Sequence, residues 1–140
     1  MNKTAQQRLR DLGLRLTKPR RAIIEALDGF GYPAPVEEIR QRMGAKAPDL
    51  ATVYRNLDTL FEAGLAHKVD LGEGFMRWEP ARDREHHHLV CSRCGKVECI
   101  DFCSIGPMIR KAAAERGFIV EGHRVELRGR CSRCRKVKGG

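Results

Sequence analysis

The chain has 140 residues, 41% of them hydrophobic, with 27 Lys and Arg against 18 Asp and Glu and a formal net charge of +9. That length holds one ordinary domain or two minimal ones, and the positive balance permits a nucleic-acid partner. Neither a signal peptide nor a transmembrane run is evident, so an oxidising compartment is not indicated and the cytoplasm is the expected location.

Basic side chains open the chain: Lys3, Arg8, Arg10, Arg15, Lys18, Arg20 and Arg21 stand against Asp11 alone in residues 1–21. A short helix is predicted from Thr4 to Leu12, with Leu9 and Leu12 inward and Gly13 ending it. Thr17-Lys18-Pro19-Arg20 reads as the start of a second helix, Thr17 as cap and Pro19 in the first turn. Ala22, Ile23, Ala26, Leu27 and Phe30 recur at helical spacing. Arg20 and Arg21 oppose the helix dipole there; they read either as partners of a DNA phosphate or as a solvated face. A third helix is predicted from about Pro35, with Val36, Ile39 and Met43 inward.

The fourth helix, Leu50 to Ala63, starts at Asp49 or its neighbour and buries Val53, Leu57 and Leu60. Its other side presents Thr52, Tyr54, Arg55, Asn56 and Thr59, side chains that can bond to base edges and phosphates. Gly64 stops it, and a hairpin follows, turning at Gly72-Glu73-Gly74. These elements predict a winged helix-turn-helix in which the fourth helix reads DNA and the hairpin is the wing. No serine or cysteine nucleophile stands beside a base in this half, and no glycine-rich phosphate loop is present.

Pro80 to Glu85 is polar enough for a hinge, dividing residues 1–79 from 86–140. Beyond it, strands are predicted at 89–91, 97–100, 118–120 and 124–130, with a helix from Ser104 to Arg116 whose apolar side carries Ile105, Met108, Ile109 and Ala112. Two Cys-x-x-Cys pairs, Cys91 with Cys94 and Cys131 with Cys134, are separated by 36 residues. Thiolates so spaced on tight turns converge on one ion, and two such turns supply a closed tetrahedral zinc site. Disulfides and a redox pair are the competing readings, and the matched pairs favour zinc. The second half is thus a small zinc-stapled α/β unit, the class of structure that covers its exposed sheet edge and helix face by pairing with a copy of itself.

Other donors remain. His86 and His88 are two apart, so on an extended segment they face one way and His87 the other. With Glu79 before them and Cys99 after, they make a mixed site for a divalent metal; the thiolate favours zinc, nickel or cobalt. His87 and His123 read as sharing a weaker, additional metal site, with a satisfied strand histidine as the alternative for His123. Cys103 reads as a small buried residue at a helix start. A metal joining the two halves would select the arrangement that fits DNA.

Four stretches together carry a resemblance: Gly13-Leu14-Arg15-Leu16-Thr17-Lys18-Pro19-Arg20, Leu50-Ala51-Thr52-Val53-Tyr54-Arg55-Asn56-Leu57, His86-His87-His88-Leu89-Val90-Cys91-Ser92-Arg93-Cys94-Gly95-Lys96-Val97 and the closing Cys-x-x-Cys. The chain resembles the ferric uptake regulator family over nearly its whole length. The resemblance implies a homodimeric, metal-responsive transcriptional repressor of palindromic operator DNA, with an N-terminal winged helix and a C-terminal dimerisation domain. It implies that Tyr54 and Arg55 lie on the reading helix and that Arg15 touches the minor groove or backbone, beside Lys18 and Arg20. Cys91, Cys94, Cys131 and Cys134 match the structural zinc motif, Glu79, His86 and His88 the regulatory ligands, and His87 and His123 the additional site. Cys99 falls where the family often has a carboxylate. Two departures stand out. The turn Gly31-Tyr32-Pro33-Ala34 lacks the family's regulatory histidine, and Gly106 replaces the helix carboxylate of the additional site.

Iron(II) is the signal the resemblance implies first, with zinc the alternative because of Cys99, and manganese, nickel or peroxide response behind them. Two other classes are weaker. A metalloenzyme would leave the helix-turn-helix half unexplained, and a constitutive DNA-binding zinc protein would leave the histidines idle.

Overall fold

A computed structural model of the chain describes residues 4–45, 47–82, 86–101 and 103–136. Two compact units divide it, Met1–Ala81 and Arg82–Gly140.

In the first unit, Thr4 caps α1 (Ala5–Asp11): its hydroxyl accepts from the Gln7 N–H at 3.2 Å while Gln7 Oε1 accepts from the Thr4 N–H at 2.9 Å. Leu9 is buried, but Leu12, expected beside it, is exposed because the helix has already ended and the chain turns at Gly13. Thr17 caps α2 (Lys18–Gly29), accepting from the Arg20 N–H. The strand β1 (Ala34–Pro35) leads into α3 (Val36–Met43), and α4 (Leu50–Glu62) follows. The apolar stripes of these helices meet: Ile23, Leu27, Ile39, Val53, Leu57 and Leu60 join Leu9 and Trp78 in one buried cluster. Burying each such side chain contributes on the order of 1.5–3 kcal/mol before entropy is counted.

The hairpin is β2 (Ala66–Asp70) and β3 (Met76–Pro80), with Val69 opposite Arg77 and Ala66 opposite Pro80. β1 lies on the other edge of β3, giving the order β1-β3-β2. Gly72 and Gly74 both have positive φ, 75° and 86°, which this turn requires and other residues would resist. Arg77 is a feature that periodicity did not anticipate. Buried near the turn end of the hairpin, it donates two 2.8 Å bonds to the Glu73 carboxylate and one of 3.1 Å to the Pro33 carbonyl, tying the turn to the segment that leads into β1. Of the expected hinge, residues 83–85 lie outside the described ones.

The second unit comprises β4 (His87–Cys91), β5 (Val97–Ile100), α5 (Gly106–Ala114), β6 (Glu126–Gly129) and a 3-10 turn at Cys134–Lys136. β4 is central, antiparallel to β5 and parallel to β6. The expected strand at 118–120 is not formed among the described residues: Phe118 is 69% and Ile119 92% exposed. A strand needs a partner for its backbone groups, and among the described residues none pairs with this segment. The helix likewise leaves Met108 and Ala112 on the surface, where its apolar side was expected to pack.

Candidate metal centres and nucleic-acid interface

The thiol cluster is built by two knuckles. The first closes with the Cys91 N–H donating to the Lys96 carbonyl at 2.8 Å and the Gly95 N–H to the Cys91 carbonyl at 3.0 Å. Parallel pairing of Cys91 with Gly129 brings the second knuckle beside it, and Ser92 fastens the junction by donating its N–H and hydroxyl to the Gly129 carbonyl. All six cysteines are unbridged. The sulfurs of Cys91, Cys94, Cys131 and Cys134 lie within 4.8 Å of one another, Cys94 and Cys131 at 3.8 Å. Tetrahedral Zn–S bonds of about 2.3 Å put sulfurs roughly 3.8 Å apart, so the donor set fits zinc; a disulfide would need about 2.05 Å.

The four thiols are not equivalent. Backbone N–H groups of Cys94 and Cys131 point at the Cys91 sulfur, at 3.5 and 3.4 Å, and pull its pKa down to about 5. The Cys134 N–H lowers that of Cys131 in the same way. Burial, followed by the neighbouring sulfurs, pushes Cys134 up to about 12. Peptide dipoles thus stabilise part of the negative charge, and Cys134 ionises only when a cation offsets the crowding.

Alternation along β4 divides the histidines as expected. The rings of His86 and His88 meet edge to face, centroids 5.2 Å apart. Cys99 is the ladder partner of His88, which puts it on the same face of the sheet. His87 turns to the other face and meets His123, centroids 5.0 Å apart. Glu79 belongs to the first unit, buried on β3 opposite His67. Cys103 is the donor that sequence reasoning missed: its sulfur is 3.0 Å from His123 Nε2, and it groups with His87 and His123 within 4.8 Å. Cys103 and His123 are 20 positions apart, so no local spacing announces the contact.

On the first unit, Tyr54 and Arg55 are exposed along α4. The Thr52 hydroxyl donates to the Asp49 carboxylate and accepts from Arg55 Nη2 at 3.0 Å, so a relay from Asp49 orients the arginine. Thr52, first through its hydrogen bond, holds the Asp49 carboxyl below its ordinary range. Asn56 is partly committed: Arg20 Nε donates to its Oδ1 at 3.2 Å and its amide donates to the Thr52 carbonyl at 3.0 Å. Arg20 also donates to the Arg15 carbonyl at 2.7 Å, joining the segment before α2 to the α4 face. The Thr59 hydroxyl donates back to its own helix at Arg55. Arg15 and Lys18 stay exposed. Arg15, Lys18, Tyr54 and Arg55 are thus exposed on this side of the unit, Arg55 steadied by Thr52, while Arg20 and Asn56 are held by hydrogen bonds to neighbouring segments.

Helices α2 to α4 with a wing, followed by a unit rich in metal-ligating thiols and imidazoles, define a winged-helix transcription regulator of the metal-binding kind. Residues 11–128 match the Ferric uptake regulator family. The peroxide operon regulator of Bacillus subtilis is 32% identical over 137 residues, covering 96% of this chain and 93% of that protein. The ferric uptake regulation protein of Campylobacter jejuni is 33% identical over 138 residues, covering 93% and 85%. The crystal structure of the Vibrio cholerae ferric uptake regulator superposes with a TM-score of 0.79 at 30% identity, covering 91% of this chain and all of that one. The chain belongs to the ferric uptake regulator family of metal-responsive transcription regulators.

Proposed function

We propose that the chain is a repressor, not an enzyme, that binds palindromic operator DNA as a homodimer in the cytoplasm when its regulatory site holds a divalent metal, iron(II) first. In this reading Cys91, Cys94, Cys131 and Cys134 hold a structural Zn2+. Glu79, His86, His88 and Cys99 take the regulatory ion, and His87 and His123 belong to the additional site. Arg15, Lys18, Tyr54, Arg55 and Thr59 face the duplex, with Arg20, Thr52 and Asn56 behind them. When bound, the regulatory ion would favour the conformation that presents these ligands together, by its higher affinity for that conformation. Residues 1–79 would be the DNA-binding domain and 86–140 the dimerisation domain, joined through 80–85.

The observation that carries the reading is the pair His86 and His88 on one face, outside the four-thiol cluster. The staple has no need of them, yet both imidazoles are aligned. Support for a dimer comes from Met108, Phe118, Ile119 and Leu127, large apolar side chains at the surface of a unit too small to hide them. Two reader helices related by a two-fold axis suit a palindrome. Zinc response is the second reading, favoured by Cys99 across the ladder from His88, because a thiolate is a poor choice for retaining iron(II) against zinc. Manganese, nickel and peroxide sensing are variants of the same architecture. His88→Ala tests the proposal: it should keep the normal circular dichroism and zinc content while losing metal-dependent binding to operator DNA. Retained metal dependence would overturn it.

A further inference from the structure

Beyond the pair of histidines already assigned to an additional site, we infer that Cys103 completes it as a thiolate ligand. The resulting nitrogen, nitrogen and sulfur set takes zinc in preference to iron or manganese. All three donors belong to the second unit, and their ligand atoms lie within 4.8 Å of one another. They come from three places in the chain: His87 from the first residue of β4, Cys103 from the segment before α5, His123 from the segment before β6.

No carboxylate joins the group among the described residues. Gly106 stands beside the imidazole, a Cβ built there lying 3.5 Å from His123 Cε1 in ordinary contact, but glycine has no side chain to donate, so the thiol of Cys103 is the donor on hand next to His123. Replacing a hard oxygen donor by a thiolate changes which ion is held. Iron(II) and manganese(II) lose relative affinity; zinc, with cobalt and nickel, gains. Three protein ligands also leave one tetrahedral position open, so the ion should exchange far more readily than one enclosed by four thiolates.

Loading requires two hydrogen bonds to be given up. Cys103 Sγ and His123 Nε2 are 3.0 Å apart, and sulfur and nitrogen bound to one tetrahedral zinc lie about 3.5 Å apart, so the two separate slightly as the thiol proton leaves to solvent. The Val125 N–H donates to His87 Nδ1 at 3.1 Å, engaging that lone pair. His87 must release Val125 to present a ligand atom. Cys103 and His123 are therefore the anchoring pair and His87 the arm that closes last. The bound ion would tie together the segments at both ends of α5. Any effect on dimer assembly rests on the homodimer proposal above; the metal site itself does not.

The test uses the full chain with zinc retained in the four-cysteine site. Cobalt(II) is added anaerobically, and zinc content is measured throughout. Because Cys99 could also give a sulfur-to-cobalt band, the comparison is made in the Cys99→Ser background. The expected result is a sulfur-to-cobalt charge-transfer band in Cys99→Ser that disappears in Cys99→Ser with Cys103→Ser and is bleached by added zinc. A band that survives in the double variant, or the absence of any such band in Cys99→Ser, would overturn the inference whether or not the protein represses transcription. A second measurement needs no cysteine variant: zinc beyond the first equivalent should slow alkylation of Cys103, mapped by peptide mass spectrometry. Loss of an outer-shell partner alone costs metal sites about 10–100-fold in affinity, so His123→Ala, which removes a ligand, should abolish that protection at matched zinc. Equal alkylation with and without zinc would contradict the assignment.

Discussion

Leu9, Ile23, Leu27, Ile39, Val53, Leu57 and Leu60 are sealed from solvent in the first unit, whereas the buried side chains of the second include Cys91, Cys134, His87 and His88. Both units carry helices and a small sheet, but they draw on different forces. The first is held by apolar burial between helices at 3.6-residue spacing. Donor atoms, which stabilise a fold only when hydrogen bonds or a cation satisfy them, occupy much of the second unit's interior. A unit built on burial can stay the same through a signalling cycle. One built on donors changes its stability with metal supply, and that is the part of the molecule suited to sensing.

The comparison breaks most visibly at the staple. Cys134→Ser, or exhaustive chelation under reducing conditions, should unfold the second unit and any dimer it forms while leaving the helical signal of the first; structural zinc contributes about 10–16 kcal/mol in small zinc-dependent folds. Hydrogen exchange resolved by segment checks this, and uniform loss of protection in both units would show that they are not independently held. Leu57→Ala should do the reverse, costing about 2–5 kcal/mol of first-unit stability in denaturant titration while zinc content stays normal. Arg77→Ala strands the Glu73 carboxylate and the Pro33 carbonyl and should cost about 1–3 kcal/mol, with the wing's amides losing protection first.

The smallest effect is a proton count. Cys91, with a pKa near 5, is already ionised at pH 7, so zinc uptake by the reduced, zinc-free chain should release fewer than four protons from the four thiols. Below pH 5 Cys91 itself holds a proton, the count rises toward four and zinc binding weakens. Calorimetry in buffers of different ionisation heat reads this directly. A full four protons at pH 7 would show that the peptide dipoles around Cys91 do not stabilise its thiolate.

Much of the first unit was legible because its order is local. Thr17 caps where expected, the first helix begins within a residue of Thr4, and the stripe Val53, Leu57 and Leu60 faces the core. What escaped was long-range: Arg77 reaching Pro33, and Arg20 holding Asn56 across two helices. In the second unit the two knuckles and the opposed faces of His86 and His87 followed from spacing and strand alternation. The parallel pairing of β4 with β6 did not, nor did the meeting of Cys103 with His123, because both depend on chain segments far apart in sequence. Helical periodicity also marked an apolar side of α5 for packing, and the run 118–120 was expected to form a strand. Among the described residues nothing covers Met108, Phe118 or Ile119, and no strand forms at 118–120.

The most direct measurement is operator-DNA affinity by fluorescence anisotropy under anaerobic conditions, with the four-cysteine zinc kept in place and the removable sites either emptied or titrated with iron(II) or zinc. Couplings of this kind amount to about 5–150-fold in affinity, and a tightening in that range, lost in His88→Ala, is the predicted result. The same affinity with and without the removable ion would contradict the account, leaving a zinc-stapled DNA-binding protein whose histidines serve something other than a metal switch.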